Sequence, residues 1–96
     1  MKKLYLEGTK TLILDDNKQV KLDYYLVEDL RNRGQEISLY GIKIVKHLDD
    51  YLETEYTEPI SYSREIVKEM VRKLWVNGVT ITTMLEIVDD LVSEYC

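Results

Sequence analysis

Phenylalanine is absent from this chain, and cysteine, proline, histidine and tryptophan occur once each. The single thiol, Cys96 at the last position, excludes an intrachain disulfide and a cysteine-built zinc site. Long apolar runs are also missing. The longest, Tyr24 to Val27, is four residues, so no segment is expected to span a bilayer. Met1-Lys2-Lys3 is not followed by an apolar h-region, which argues against a secretory signal and for a cytoplasmic protein. Positive charge is in deficit: 13 Lys and Arg stand against 18 Asp and Glu, for a net −5. A direct grip on nucleic-acid phosphates needs clustered cations, so nucleic acid is not an expected partner.

What is present describes one domain. Of 96 residues, 45% are hydrophobic and 32% charged. A chain of this size buries roughly two-thirds of its surface on folding, enough for a modest core. Up to Pro59 the pattern is strand-like. Leu4 and Leu6, then Leu12, Ile13 and Leu14, flank Gly8-Thr9, which suggests an opening strand or a short hairpin. Asp15-Asp16-Asn17-Lys18 is a turn by chemistry, because Asp and Asn imitate backbone turns and tolerate left-handed conformations. From Lys18 to Glu28, Val20, Leu22, Tyr24 and Leu26 alternate with Lys21 and Asp23, a half-buried strand. Tyr25 and Val27 make its second face apolar, which suggests cover on both sides there.

Asn32-Arg33-Gly34 punctuates the chain before a third strand, Gln35 to Lys46. There Ile37 and Leu39 share one face and Tyr40, Ile42 and Ile44 the other. Gly41, at the switch, marks a bulge or a close backbone approach. His47 to Asp50 reads as a turn. Tyr51 to Thr57 reads as a fourth strand, whose Glu53 and Glu55, with Glu58 and Pro59 after it, suit a protected sheet edge.

After Pro59 the period becomes helical. Ile66, Val67, Met70, Val71, Leu74 and Trp75 form one stripe, with Ser63 as N-cap and Tyr62 and Val67 as a hydrophobic staple. Asn77-Gly78 ends this helix. Thr80 can cap a second helix, with Val79 and Met84 as its staple pair, or Thr83 with Glu86 can start it three residues later. Ile81, Met84, Leu85, Val88, Leu91, Val92 and Tyr95 make its apolar face. Helices this short are marginal alone and must pack on the sheet. The expected fold is α+β: an N-terminal antiparallel meander of about four strands over 1–58, then a two-helix hairpin over 61–96.

No residue set carries recognisable catalysis. His47 can be drawn with Asp49, Asp50 and Glu53 as a metal site, or with Ser61 and Ser63 as a triad. A metal site of that kind wants further imidazole or thiolate ligands, and no G-x-S-x-G elbow surrounds either serine. His47 therefore reads as a solvated turn residue, and no cofactor or metal is expected. Asp15-Asp16-Asn17 lacks the spacing of a calcium loop, and the four isolated glycines form no phosphate cradle. The helical pair is not a DNA reader either, since the stretch 80–96 holds Glu86, Asp89, Asp90 and Glu94 and no Lys or Arg.

Three segments resemble a known family: Tyr24-Tyr25-Leu26-Val27-Glu28, Tyr40-Gly41-Ile42-Lys43-Ile44, and Val79-Thr80 through Leu85, Ile87, Asp89, Asp90 and Leu91. It is a family of short bacterial proteins classified only as a domain of unknown function. The likeness covers about residues 20 to 94 and leaves the N-terminal strand outside. Such proteins often have proline after the capping threonine, where this chain has Ile81, a tolerable departure at a first helical position. The resemblance brings no activity, cofactor or site residue with it.

The expected function is therefore non-enzymatic contact with another protein, or with a second copy in a homodimer. Eight tyrosines suit half-covered contact surfaces, and Tyr25, Tyr40, Tyr51 and Tyr56 are the candidate contact residues. An alternative is an acidic inhibitor, a nucleic-acid mimic that fills a partner's basic groove with Glu86, Asp89 and Asp90.

Overall fold

The computed structural model describes residues 2–32 and 34–95. Met1, Cys96 and Arg33, the middle residue of the turn expected at Asn32–Gly34, lie outside the described residues. Four strands come first: β1 (Lys2–Ile13), β2 (Gln19–Asn32), β3 (Glu36–Leu48) and β4 (Tyr51–Tyr56). They pair antiparallel in the order β1-β2-β3-β4, a simple meander. Two helices follow, α1 (Arg64–Val76) and α2 (Met84–Tyr95). α1 lies across β1, β2 and β3, and α2 packs on α1. The α+β architecture is the expected one. Among the described residues, no helix is long and apolar enough to cross a membrane.

The alternation in β2 sets the core. Val20, Leu22, Tyr24 and Leu26 are all buried, and their register partners Ile42 and Ile44 on β3 are buried beside them. α1 lowers Val67, Met70, Val71 and Leu74 onto this face, and Val79, Met84 and Val88 complete the cluster. The buried hydroxyl of Tyr24 donates to the Val79 carbonyl at 2.8 Å, which ties the interhelical loop to the sheet. Burial pushes that phenol up to about 12.

Turn chemistry closes the ends. Asn17 is left-handed at φ 65°, and Lys18 N–H donates to Asp16 Oδ1 at 3.1 Å between β1 and β2. Ser63 caps α1 by accepting from Ile66 N–H. Gly78, at φ 62°, ends it in a Schellman motif, with Val79 N–H donating to Leu74 and Gly78 N–H to Trp75.

Several local expectations are corrected. Of the two readings at Gly8-Thr9, the opening strand holds and the short hairpin does not: β1 runs through with a bulge between Leu6 and Gly8. β3 carries no register shift at Gly41, since its pairing with β2 is continuous. The other reading of Gly41, a close approach, holds: a Cβ there would stand 3.0 Å from Thr57 Oγ1. His47 belongs to β3, and the turn is Asp49-Asp50, with Asp49 left-handed. Tyr62, 71% exposed, is left in solvent rather than packed as a staple. The second helix takes the later start, after a single turn over 81–83. Ile81, Met84, Val88, Leu91, Val92 and Tyr95 hold the face expected for the second helix, while Leu85 is exposed and Ile87 packs on the core.

Candidate protein-contact surface

Both helices lie on one side of the sheet, so the other side has no layer over it. Strand alternation assigns its residues. One row crosses all four strands as Leu6, Tyr25, Lys43 and Tyr56, and the next carries Leu4, Val27 and Gly41. On the other flank run Thr9, Asp23, Val45 and Thr54, then Thr11, Lys21, His47 and Leu52. Leu6 and Tyr56 are each 57% exposed, and Leu4 and Leu52 are exposed as well. Tyr25 and Val27 are half-buried. The expectation of cover on both sides of β2 is thus corrected: a two-helix hairpin supplies a layer for one face only.

Charge on this open face runs against the whole chain. Lys2, Lys21, Arg31 and Lys43 share it with only Asp23 and Asp29. Arg31 holds Asp29 at 3.3 Å. Asp23, 5% exposed, is the one buried charged residue among the described residues. It accepts from the Thr9 hydroxyl at 2.8 Å and lies 2.9 Å from His47 Nε2 and 3.9 Å from Lys21 Nζ. That shell makes its burial tolerable. His47 therefore meets none of the groups the sequence drew around it. Thr9 bonds the carboxylate and not the imidazole, so the three do not form a nucleophile–base relay. Sequence reasoning missed Asp23 because its partners come from two other strands.

The tyrosines divide between faces. Tyr25 and Tyr56 flank Lys43 on the open side, while Tyr40 faces the helices. There Tyr5 and Tyr40 each donate to one oxygen of Glu28, at 3.0 Å. Those two bonds hold the Glu28 carboxyl below its ordinary value and push both phenols up. The Arg64 guanidinium stacks 4.9 Å from the Tyr5 ring centroid, fastening the first turn of α1 to this clamp. Tyr51 is exposed on β4, and its hydroxyl donates to Glu53. The four candidate tyrosines therefore do not form one patch; two of them do.

Glu86, Asp89 and Asp90 all lie exposed along α2. Asp89 and Glu58 line one cleft with Leu85 and Val92. Glu53 and Glu55 fall on the helix side of β4 by register. Among the described residues, no group of three or more His, Cys, Asp or Glu side chains is placed to hold a metal ion.

A model of one family of unknown function, DUF6514, matches residues 3–94. The chain belongs to DUF6514. The match takes in β1, which the sequence resemblance had left outside, and β1 is the strand against which Trp75 packs. No curated protein and no solved structure matches the chain.

Proposed function

We propose that this member of DUF6514 is a non-enzymatic binding protein of the bacterial cytoplasm, which docks another protein on the open face of its sheet. The observation that supports this reading is the uncovered row Leu6–Tyr25–Lys43–Tyr56, exposed at Leu6 and Tyr56 and half-buried at Tyr25 and Lys43, with exposed Leu4 and Leu52 beside it. Exposed apolar residues grouped on one face mark contact surfaces, whereas scattered ones do not. At about 3.3 Å per residue and about 4.8 Å between strands, the sheet offers roughly 700 Å². A stable complex takes roughly 800 Å² from each partner.

The partner that fits is acidic. Four cations against two acids make the face locally positive. A second copy laid face to face would set those cations against their own kind, so a homodimer fits less well. Light scattering and partner binding test the reading together. A monomer whose partner binding is lost in Leu6→Asp but kept in Leu85→Asp supports it. A dimer abolished by Leu6→Asp would replace the acidic partner with a second copy.

The acidic inhibitor remains as a second reading, favoured by one observation: of the edge acids Glu53, Glu55 and Glu58, Glu58 lines the same cleft as Asp89 on α2. It predicts salt-dependent binding through the helical side.

A further inference from the structure

Within the open face lies a hollow of about 270 Å³, lined by Lys2, Leu4, Val27, Lys43, Tyr56 and Thr57. Its existence follows from the sequence. Gly41 pairs with Val27 and puts no side chain on this face, and the chain at Thr57 folds in close over it. The Thr57 hydroxyl is occupied there, accepting from Ile42 N–H at 3.0 Å. Leu4 and Val27 give the hollow an apolar part, and Tyr56 gives it an aromatic one.

Two lysines line this space and no acidic residue does. Lys2 Nζ stands 5.7 Å from the Tyr56 ring centroid, a cation–π distance. Lys43 is half-buried in the central row and makes no ion pair among the described residues. The other cations at the centre and far end of the face differ: Lys21 and Arg31 each have a carboxylate within 4 Å. A half-buried cation without a counter-charge, beside an apolar wall, suits a carboxylate arriving on an aliphatic arm.

We propose that this hollow anchors the partner by taking an acidic side chain of its surface, flanked by an aliphatic residue. Lys43 and Lys2 hold the carboxylate, and Leu4, Val27 and Tyr56 cover the aliphatic neighbour. The inference rests on the open-face reading and sharpens it to one subsite.

The test titrates the ¹⁵N-labelled full chain with acetyl-Leu-Glu-Leu-amide, with acetyl-Leu-Gln-Leu-amide, and with inorganic phosphate. The glutamate peptide should shift the amides of Leu4, Val27, Gly41, Lys43 and Tyr56 saturably. The glutamine peptide should bind about tenfold more weakly. Lys43→Gln should abolish the difference between the peptides while leaving amides of the helices in place. Lys2→Gln, at an exposed position, should reduce it and serves if Lys43→Gln does not fold. Equal binding of the two peptides, shifts centred elsewhere, or phosphate reproducing the glutamate shifts would overturn the proposal. Should the peptides fail while Leu6→Asp still strips the native partner, the subsite falls and the open-face reading stands. Loss of neither peptide preference nor partner binding in the variants removes both.

Discussion

The indole of Trp75 lies against the Cα of Gly8, in the space where any other residue would carry its Cβ. The same ring donates its N–H to the Thr9 carbonyl at 3.2 Å, so α1 is fastened to the edge strand at the bulge. Gly8→Ala should therefore cost about 1–3 kcal/mol by overpacking. Combined with Trp75→Leu, which removes the clashing ring, the loss should be less than the sum of the single changes. Urea midpoints of the four proteins check this.

A second prediction concerns Tyr24, the buried phenol bonded to Val79. Tyr24→Phe leaves that carbonyl without its partner and should cost about 1–3 kcal/mol. The pH sign follows from the raised value. In the unfolded chain the phenol ionises at its ordinary 10.0, and in the fold at about 12. Its contribution is full below pH 10 and is lost as pH rises from there through 12. Wild type should lose stability in that window faster than Tyr24→Phe.

The Glu28 clamp has an acid limb as well. Its carboxyl is lowered from 4.5, chiefly by the bonds from Tyr40 and Tyr5, so its contribution is present above 4.5. It disappears as pH falls through the lowered value. The stability difference between wild type and Glu28→Gln should shrink on that acid side. Denaturation series from pH 3 to 7 measure it.

These three relationships also show how far the sequence could be read. Period-two alternation in β2 named the core face correctly, because side chains of a strand must alternate. The caps at Ser63 and Gly78 were equally legible, being local chemistry. At Gly8 the choice between one strand and a hairpin stayed open, because its reason, Trp75, comes from the other end of the chain. Asp23 and His47 meet only through strand register, which one sequence does not state. The tyrosine inventory pointed to contact surfaces, yet only the placement of both helices on one side decided that Tyr25 and Tyr56 face outward while Tyr40 faces in.

For the acidic reading of α2, Asp89→Asn with Asp90→Asn should leave the fold intact, since exposed charges contribute little. If that reading holds, the pair of changes weakens partner binding and added salt slows association. Unchanged binding with no salt effect removes it. Association rates at several ionic strengths are the measurement.

The most direct test of the open-face account is site-specific photo-crosslinking in the source cells. A benzophenone side chain is placed at Tyr56 on the open face, or at Tyr62 and Leu85 on exposed positions away from it. The account predicts one discrete adduct with an acidic protein from Tyr56, lost on Lys43→Glu, and none of that mass from Tyr62 or Leu85. An adduct formed from Leu85 and not from Tyr56 would contradict it.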